Sequence, residues 1–418
     1  MNEIKIQILS LLEKSSEFGF LKEHVDALIT NHLRLEERSV LNRIFPSEVL
    51  NKIMFEFTFT QKKRSKFTFI DLFAGIGGFH LALSNLGGEC LFSSEWDKSA
   101  KQTYFRNFSI VPFGDICDFT NESVSDQTLN KLIPDHDILC AGFPCQPFSR
   151  AGVSARESIG IKHGFECETQ GNLFFDLVRI AKIKRPKVLF LENVKNLKSH
   201  DSGNTFKTIC QEIEEKLGYK FFHQVINAKT LVPQKRERCF MVAFRDDIDN
   251  FDFGDFSGDE RPLSSILEKK VSDTYTISDR LWEGHQRRTK NNLSRGTGFT
   301  AFTADLNKPA NTIVARYGKD GKECLIPQKN KNPRKLTPRE CARLQGFPES
   351  YILPSSNAAS YRQFGNSLVV PVVDRIAKNI LKVVDNHDFQ KNSQVKQSKN
   401  KRRSNNMGKG LLVFEDFC

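Results

Sequence analysis

One cysteine of this chain lies in a sequence setting that suits nucleophilic chemistry. Cys145 follows the apolar run from Asp137 to Gly142 and has a proline on each side within two residues. Prolines stiffen a loop and remove backbone donors, so we expect this thiol on a rigid loop at the end of a strand. Cys90 and Cys140 lie inside apolar runs and are interpreted as buried, inert thiols. Cys145 is therefore the candidate nucleophile.

A carboxylate and two arginines occur in later segments that also border strands. Glu192 is near the end of the apolar run from Val188 to Asn193, which predicts that it reaches the same sheet edge as Cys145. Partial burial there would raise its pKa and suit it to acid catalysis. Arg236 and Arg238 alternate, so in extended backbone both would face one side and could hold an anion or a polar ring.

A glycine-rich turn follows the first apolar run, Phe67 to Phe73. The run continues into Ala74-Gly75-Ile76-Gly77-Gly78, and a helix is expected from His80 to Leu86. Such a turn lets the backbone approach a ligand and directs free helix N–H groups at it. The order GxGG differs from the dinucleotide fingerprint GxGxxG, so the turn alone indicates only a nucleotide-like ligand.

Three side chains at expected strand ends would complete an adenosine site beside this turn. Glu95, about 20 residues beyond the glycines, could accept hydrogen bonds from ribose hydroxyls, and Trp96 could stack on adenine. Asp115 falls where a third strand would end and could bond the adenine amino group. Together these residues predict an adenosine pocket.

The elements that must position these residues read as an α/β fold. Short apolar runs alternate with helical segments, which predicts a doubly wound, parallel sheet covered on both faces. The predicted strands are Phe67–Phe73, Cys90–Glu95, Asp137–Gly142, Val188–Asn193 and Cys239–Phe244.

Composition narrows the protein class. The 418 residues carry a net charge of +12, and residues 280–343 hold fifteen Lys or Arg against five Asp or Glu, which favours a polyanionic partner. No apolar run is long enough to span a bilayer, and the start does not resemble a signal peptide, so we expect a soluble intracellular protein. The ten cysteines show no zinc or disulfide spacing.

The order of the motifs resembles the cytosine-5 DNA methyltransferase family over about residues 66–385. The blocks that carry the resemblance are DLFAGIGGF, EWDKSA, GDI, GFPCQPFS, LENVKNL, PQKRER, RKLTPRECARLQGFP and YRQFGNSLVVPVV. A Pro-Cys-Gln block followed by Glu-Asn-Val and then Gln-x-Arg-x-Arg is far more specific than any one of them.

The resemblance implies a fold, a methyl donor and a set of site residues. It implies a Rossmann-like, S-adenosylmethionine-dependent methyltransferase domain and no metal. The residues expected at the methyl donor are Phe73, Ala74, Gly75, Gly77, Gly78, Glu95, Trp96, Asp115, Ile116, Pro144, Asn366 and Ser367. The residues expected to be catalytic are Cys145, Glu192, Arg236 and Arg238.

It also implies a reaction. Cys145 would add to carbon 6 of a cytosine flipped out of duplex DNA, Glu192 would bond or protonate ring nitrogen 3, and Arg238 would hold the carbonyl oxygen at carbon 2. Arg236 is expected nearby, orienting the Cys145 loop or the base. Carbon 5 would then take the methyl group. The expected setting is a monomer in a prokaryotic cytoplasm, associated with the nucleoid through DNA, and paired with a restriction endonuclease.

The predicted domains follow the blocks. They are a helical appendage (1–65), a discontinuous catalytic and cofactor-binding domain (66–249 and 356–386, with a helix beginning at Asn366), a target-recognition domain (250–355) and a disordered basic tail (387–418). Segments at 277–282, 296–299 and 315–321 resemble those of members that act on CC-containing sites of the CCGG or CCNGG kind. Gln170 departs from the arginine usual in relatives, and the loop between Cys145 and it is lengthened.

Two other functions stay open. A transfer-RNA cytosine-5 methyltransferase uses the same blocks, although such relatives usually have a reduced recognition segment. A DNA-binding regulator acting through the N-terminal helices could coexist with catalysis. A nicotinamide-dependent enzyme is disfavoured by the glycine spacing.

Overall fold

The computed structural model describes residues 65–144, 173–296, 301 and 303–385. The predictions for the N-terminal segment up to residue 64, for Cys145 and the loop after it with Gln170, for residues 297–299 and for the tail after residue 385 lie outside these residues.

Six strands form the central sheet, in the order β2-β1-β3-β4-β7-β5. Strands β1 to β4 pair in parallel with one another, whereas β7 is antiparallel to both of its neighbours, β4 and β5. The strands are β1 Phe67–Leu72, β2 Gly88–Ser94, β3 Ile138–Gly142, β4 Val188–Val194, β5 Lys220–Asn227 and β7 Glu237–Phe244. The five predicted strands are confirmed, with shifts of up to two residues at their ends.

The sheet corrects the sequence prediction in three places. It is not wholly parallel, because β7 runs against its neighbours. Strand β5 was not predicted, since its exposed and half-buried residues form no continuous apolar run. The third strand expected before Asp115 is reduced to one bridge, Ser94 to Phe113.

Alternate residues of the strands enter separate cores, which is what a doubly covered sheet requires. Phe69 of β1 and Cys140 of β3 pack in one core, whereas Ile70 and Leu139 pack in the other. The helices between the strands are α1 Gly78–Asn85, α2 Lys98–Phe108, α3 Ile116–Thr120, α4 Asp126–Leu132, α5 Leu173–Lys184 and α6 Asn204–Cys210, the last continuing as a π-helix over Gln211–Lys216. The doubly wound α/β fold class is thereby confirmed.

Smaller elements lie just before β7 and along the chain after it. Strand β6 (Gln234–Lys235), just before β7, pairs in parallel with β8 (Ala310–Asn311), and β9 (Ile326–Gln328) pairs antiparallel with β10 (Lys331–Arg334). The helices here are α7 Asp279–Ser294, α8 Tyr317–Asp320, α9 Pro338–Leu344, α10 Asn357–Asn366 and α11 over residues 370–385. Short 3₁₀ turns lie at Lys195–Lys198, His200–Gly203, Ala228–Thr230, Leu263–Ile266 and Asp273–Tyr275.

Asn366 ends a helix instead of beginning one, which corrects the sequence prediction. Ser367 has the extended backbone angles φ −67° and ψ 157°, so α10 stops there. The next helix starts at residue 370, with Pro371 in its first turn, where a missing backbone N–H costs nothing. None of the helices in the described ranges is long and apolar enough to cross a membrane.

Candidate active site

The glycine-rich turn between β1 and α1 has the backbone that its sequence predicted. Gly75 and Gly77 have φ values of 54° and 80°, in the left-handed region that favours glycine. A Cβ on Gly77 would lie 2.2 Å from the Phe108 ring, so packing also demands a glycine there. A Cβ on Gly75 would meet nothing within 4 Å. Gly75 therefore faces open space that a ligand could enter.

Glu95 follows β2 and is tied directly to this turn. Its Oε2 accepts a hydrogen bond from the Gly75 N–H at 2.7 Å, and its Oε1 accepts one from the Asp97 N–H at 2.8 Å. The side chain is buried, and burial raises its pKa although these backbone bonds oppose the rise. The two N–H groups fix the carboxylate at the edge of the space beside Gly75.

The other predicted adenosine residues lie on the neighbouring segments. Trp96 is 72% exposed, so its ring is free to stack on a ligand. Asp115 caps α3, where its Oδ1 accepts the Cys117 N–H at 3.0 Å, and Ile116 after it is buried. Phe113 is bonded to β2 on both sides of Ser94, which places this segment beside Glu95.

The block after α10 packs onto the start of α1. A Cβ on Gly78 would lie 2.6 Å from the Leu368 side chain and 3.5 Å from Ser367 Oγ. The Tyr351 hydroxyl donates a hydrogen bond to the Ile76 carbonyl at 2.6 Å, which holds the turn from the same side. The structure thus brings Ser367 to the turn across nearly 300 residues of chain.

A buried carboxyl group lies under the turn. Asp71 of β1 is 1% exposed, and its carboxyl group lies near the backbone of His80 at the start of α1. Burial raises its pKa well above the usual range. The open space at Gly75, the fixed carboxylate of Glu95 and the exposed ring of Trp96 together fit an adenosine-containing ligand.

Glu192 and Arg238 form a second polar centre on β4 and β7. Glu192 Oε1 lies 3.1 Å from Arg238 Nε, and their side chains are 12% and 16% exposed. Burial raises the pKa of Glu192, although the positive charges of Arg238 and Arg236 oppose the rise. A carboxyl group held in this way can donate a proton or a hydrogen bond to a ligand at the sheet edge.

The chain that leads to Cys145 leaves the sheet next to Glu192. Gly142, the last residue of β3, pairs with Glu192 in the sheet, and a Cβ on Gly142 would lie 3.7 Å from Glu192 Oε2. Asn193 is buried and donates a hydrogen bond to the Phe143 carbonyl at 3.0 Å. Asn193 therefore anchors the segment just before Pro144, which is exposed. Sequence reasoning missed this role, although the position of Asn193 beside Glu192 was a signal for it.

The two predicted arginines have different environments. Arg238 pairs with Glu192, whereas Arg236 is 2% exposed and donates to the backbone carbonyls of Ile313 (3.0 Å), Gly365 (3.1 Å) and Ser367 (2.6 Å). Burial lowers the pKa of Arg236 to about 9. These contacts join the residue just before β7 to Ile313, within the predicted recognition domain, and to the end of α10, so Arg236 positions backbone here. Within the described ranges, His, Cys, Asp and Glu side chains form no cluster of three or more that could hold a metal ion.

Comparisons with known proteins agree with this arrangement. Residues 67–382 match the C-5 cytosine-specific DNA methylase family. The chain is 48% identical over 337 residues to the Type II methyltransferase M1.ScrFI of Lactococcus lactis subsp. cremoris, covering 78% of this chain and 81% of that protein. It is 46% identical over 336 residues to the Type II methyltransferase M.DsaV of Dactylococcopsis salina, covering 79% and 90%.

A solved structure supports the fold independently. The crystal structure of the S. pombe Dnmt2 methyltransferase superposes with a TM-score of 0.59 at 16% identity, covering 76% of this chain and 99% of that one. From the family match over most of its length, and from relatives well above 40% identity, the chain belongs to the C-5 cytosine-specific DNA methylase family and is a DNA (cytosine-5)-methyltransferase.

Proposed function

We propose that this enzyme transfers a methyl group from S-adenosylmethionine to carbon 5 of a cytosine flipped out of a short, specific site in duplex DNA. The observation that carries the proposal is the Glu192–Arg238 pair, which lies beside the chain segment leading to Cys145. Attack on a pyrimidine ring requires an acid, a cation that binds the nucleobase and a nucleophile, all at one edge of the sheet.

The methyl donor fits the turn between β1 and α1. When bound, S-adenosylmethionine supplies an activated methyl group on a sulfonium. Glu95 would accept from the ribose hydroxyls, Trp96 would stack on adenine, and Asp115 with Ile116 would border the ring. The remaining contacts come from Phe73, Ala74, Gly75, Gly77, Gly78, Pro144, Asn366 and Ser367.

Carbon 5 of cytosine is a weak nucleophile, and Cys145 overcomes this by forming a covalent bond. The Cys145 thiolate adds to carbon 6, which makes the ring electrons available at carbon 5. Carbon 5 would then bond the methyl group as the methyl–sulfur bond breaks, with S-adenosylhomocysteine as the leaving group. The proton on carbon 5 is then lost, and Cys145 leaves carbon 6. Glu192 stabilises the adduct at ring nitrogen 3, and Arg238 holds the oxygen at carbon 2. Arg236 supports this edge by fixing the backbone at Ser367.

The target cytosine has to leave the helix to reach these residues. Unstacking and unpairing cost a few kcal/mol, which contacts to the DNA backbone must offset. We assign base selection to the basic region 250–355 and catalysis to residues 66–249 with 356–386. The named relatives are Type II methyltransferases, so we further propose that methylation protects host DNA from a restriction endonuclease acting at the same site.

Labelled methyl transfer tests the proposal. Purified protein is incubated with mixed-sequence duplex DNA, or with transfer RNA, and methyl-labelled S-adenosylmethionine, and the modified positions are mapped by bisulfite sequencing. We expect label on one cytosine of a recurrent duplex site. Cys145→Ala should abolish it, and Cys210→Ala, at a half-buried cysteine on α6, should not.

Two results would contradict the proposal. Label on transfer RNA with none on duplex DNA would identify an RNA enzyme. Unchanged DNA labelling by Cys145→Ala would remove the covalent mechanism.

A further inference from the structure

Helix α10 packs closely against the segment that resembles target-recognition sequences. A Cβ on Gly365 would lie 2.3 Å from the backbone carbon of Val314, so helix and segment meet backbone to backbone. A Cβ on Gly318 would lie 2.8 Å from the Tyr361 ring. Any displacement of residues 314–318 on contact with DNA must therefore be transmitted to α10, because close-packed backbone has no room to absorb it.

The same helix is bonded to α2 through one buried amide. Gln363 is 5% exposed, and both polar atoms of its side chain are used. Its Oε1 accepts from the Thr103 hydroxyl at 2.9 Å, and its Nε2 donates to the Ser99 hydroxyl at 2.9 Å. Next to it, the half-exposed Arg362 pairs with Asp97, which is 26% exposed, at 3.0 Å, so this partly exposed pair is a second and weaker link between the two helices.

Helix α2 in turn holds the carboxylate of the methyl-donor site. Asp97 caps α2 by accepting the Ala100 N–H at 2.8 Å, and the Asp97 N–H donates to Glu95 Oε1 at 2.8 Å. The other oxygen of Glu95 is bonded to Gly75 of the turn. A continuous series of contacts thus runs from residues 314–318 through Gln363 to Glu95.

We infer that Gln363 is a positioning residue that couples DNA binding to methyl-donor binding. The inference rests on the proposed function. Gln363 lies outside both ligand sites, but its two directional hydrogen bonds fix the distance between α10 and α2. DNA that seats residues 314–318 then also sets the start of α2 and with it Glu95. Such coupling is reciprocal, so each ligand must tighten the binding of the other by the same factor.

The control for this residue is Asn107, a side-chain amide on α2. Its side chain bonds the backbone of Ile352 at 3.0 and 2.8 Å, so it ties α2 to a segment other than α10. Gln363→Leu removes the two hydrogen bonds between α10 and α2, whereas Asn107→Leu removes the two bonds to Ile352 and one to the Thr103 carbonyl within α2. Each variant keeps a side chain of similar length. Only the first interrupts the path to residues 314–318.

Calorimetry on the full chain measures the coupling. The dissociation constant of S-adenosylhomocysteine is determined with and without a saturating short duplex that carries the site mapped by bisulfite sequencing. We expect the duplex to tighten binding by about fivefold or more in the unsubstituted protein and in Asn107→Leu. In Gln363→Leu the ratio should fall below about twofold. Thermal melting verifies that each variant is folded.

The outcomes separate this inference from the proposed function. If Gln363→Leu weakens both ligands but keeps the full ratio, the residue is merely structural and the inference is wrong. A ratio near one in the unsubstituted protein overturns it as well, while leaving methyl transfer intact. If the unsubstituted protein neither binds nor methylates duplex DNA, the proposed function fails and the inference fails with it.

Discussion

Glu95, just after β2, and Glu192, on β4, lie at the same edge of one sheet, but they are held by different kinds of partner. Glu95 accepts from two backbone N–H groups, those of Gly75 and Asp97. Glu192 is paired with a charged side chain, Arg238. Burial raises the pKa of both.

This difference separates a binding group from a reacting group. Backbone N–H groups cannot move away without unfolding the turn, so Glu95 is built as a fixed acceptor. A guanidinium stabilises the ionised carboxylate while burial favours the neutral one, so small changes in the surroundings of Glu192 change its protonation. Identical side chains can therefore serve the two halves of one reaction.

The largest effect is expected from Glu192→Gln. The amide keeps the shape of the side chain but removes the exchangeable proton, so we expect kcat to fall by about 10²- to 10⁴-fold. The affinity for S-adenosylhomocysteine should stay the same. Steady-state kinetics and calorimetry measure the two quantities. Glu237→Gln is the control, because Glu237 is half-exposed and pairs with Lys195 at the surface. An equal loss of kcat in Glu237→Gln would contradict the assignment of Glu192 as the reacting carboxyl group.

We expect Arg236 to contribute mainly to stability and Arg238 mainly to activity. Arg236→Met leaves three backbone carbonyls without their donor, and each unsatisfied buried acceptor costs about 1–3 kcal/mol, so we expect the free energy of unfolding to fall by about 3 kcal/mol. Arg238→Met should change it less, because Glu192 can take up a proton, yet it should lower kcat. Urea unfolding and methyl-transfer rates test this. Equal stability losses would show that the two positions are not distinct.

A smaller effect, on binding, is expected from Glu95→Gln. The amide offers one acceptor oxygen, and its NH₂ group then faces a backbone N–H, so S-adenosylhomocysteine should bind about tenfold more weakly. At saturating methyl donor, kcat should change little. Titration calorimetry measures the affinity, with Glu122→Gln on the exposed surface as the control. A kcat loss as large as that of Glu192→Gln would contradict the division between the two carboxylates.

The smallest effect concerns pH. Burial raises the folded-state pKa of Glu95 and of Glu192. For each group, the folded protein therefore binds more protons than the unfolded chain at pH values between the unfolded-state pKa and the folded-state pKa. Stability from each group is thus complete below the unfolded pKa of about 4.3 and is lost as pH rises through the folded pKa, by at most about 1.4 kcal/mol per pH unit. The free energy of unfolding, measured with urea across this pH range, should decline less steeply with rising pH in Glu95→Gln and in Glu192→Gln than in the unsubstituted protein. A steeper decline would refute the sign.

The features that depend only on residues close together in the sequence were the most predictable. The turn at Gly75 and Gly77 and the strand before it depend on local backbone freedom and on apolar runs, and the structure has both. Strand β5 was missed because an edge strand with exposed side chains has no apolar pattern to recognise. The end of α10 at Asn366 was misplaced because the backbone turns at Ser367, and serine is a residue that marks helix beginnings more than helix ends.

The residues that only the structure could assign have partners far away in sequence. Alternation predicted that Arg236 and Arg238 would act together, but the partners of Arg236 are more than 70 residues away at Ile313 and more than 120 away at Gly365. The same holds for Gln363, whose bonds to α2 cross about 260 residues.

The sequence by itself determined the family, the order of the blocks, the α/β class and the candidate residues, because these depend on residue type and local spacing. The tertiary structure decided that β7 runs antiparallel, that Glu95 accepts from backbone while Glu192 pairs with a charge, and that Arg236 binds carbonyls. In each of these cases, several groups of the chain could have been the partner. Which partner is met depends on how distant segments pack, since burial makes a hydrogen bond obligatory without naming the group that satisfies it.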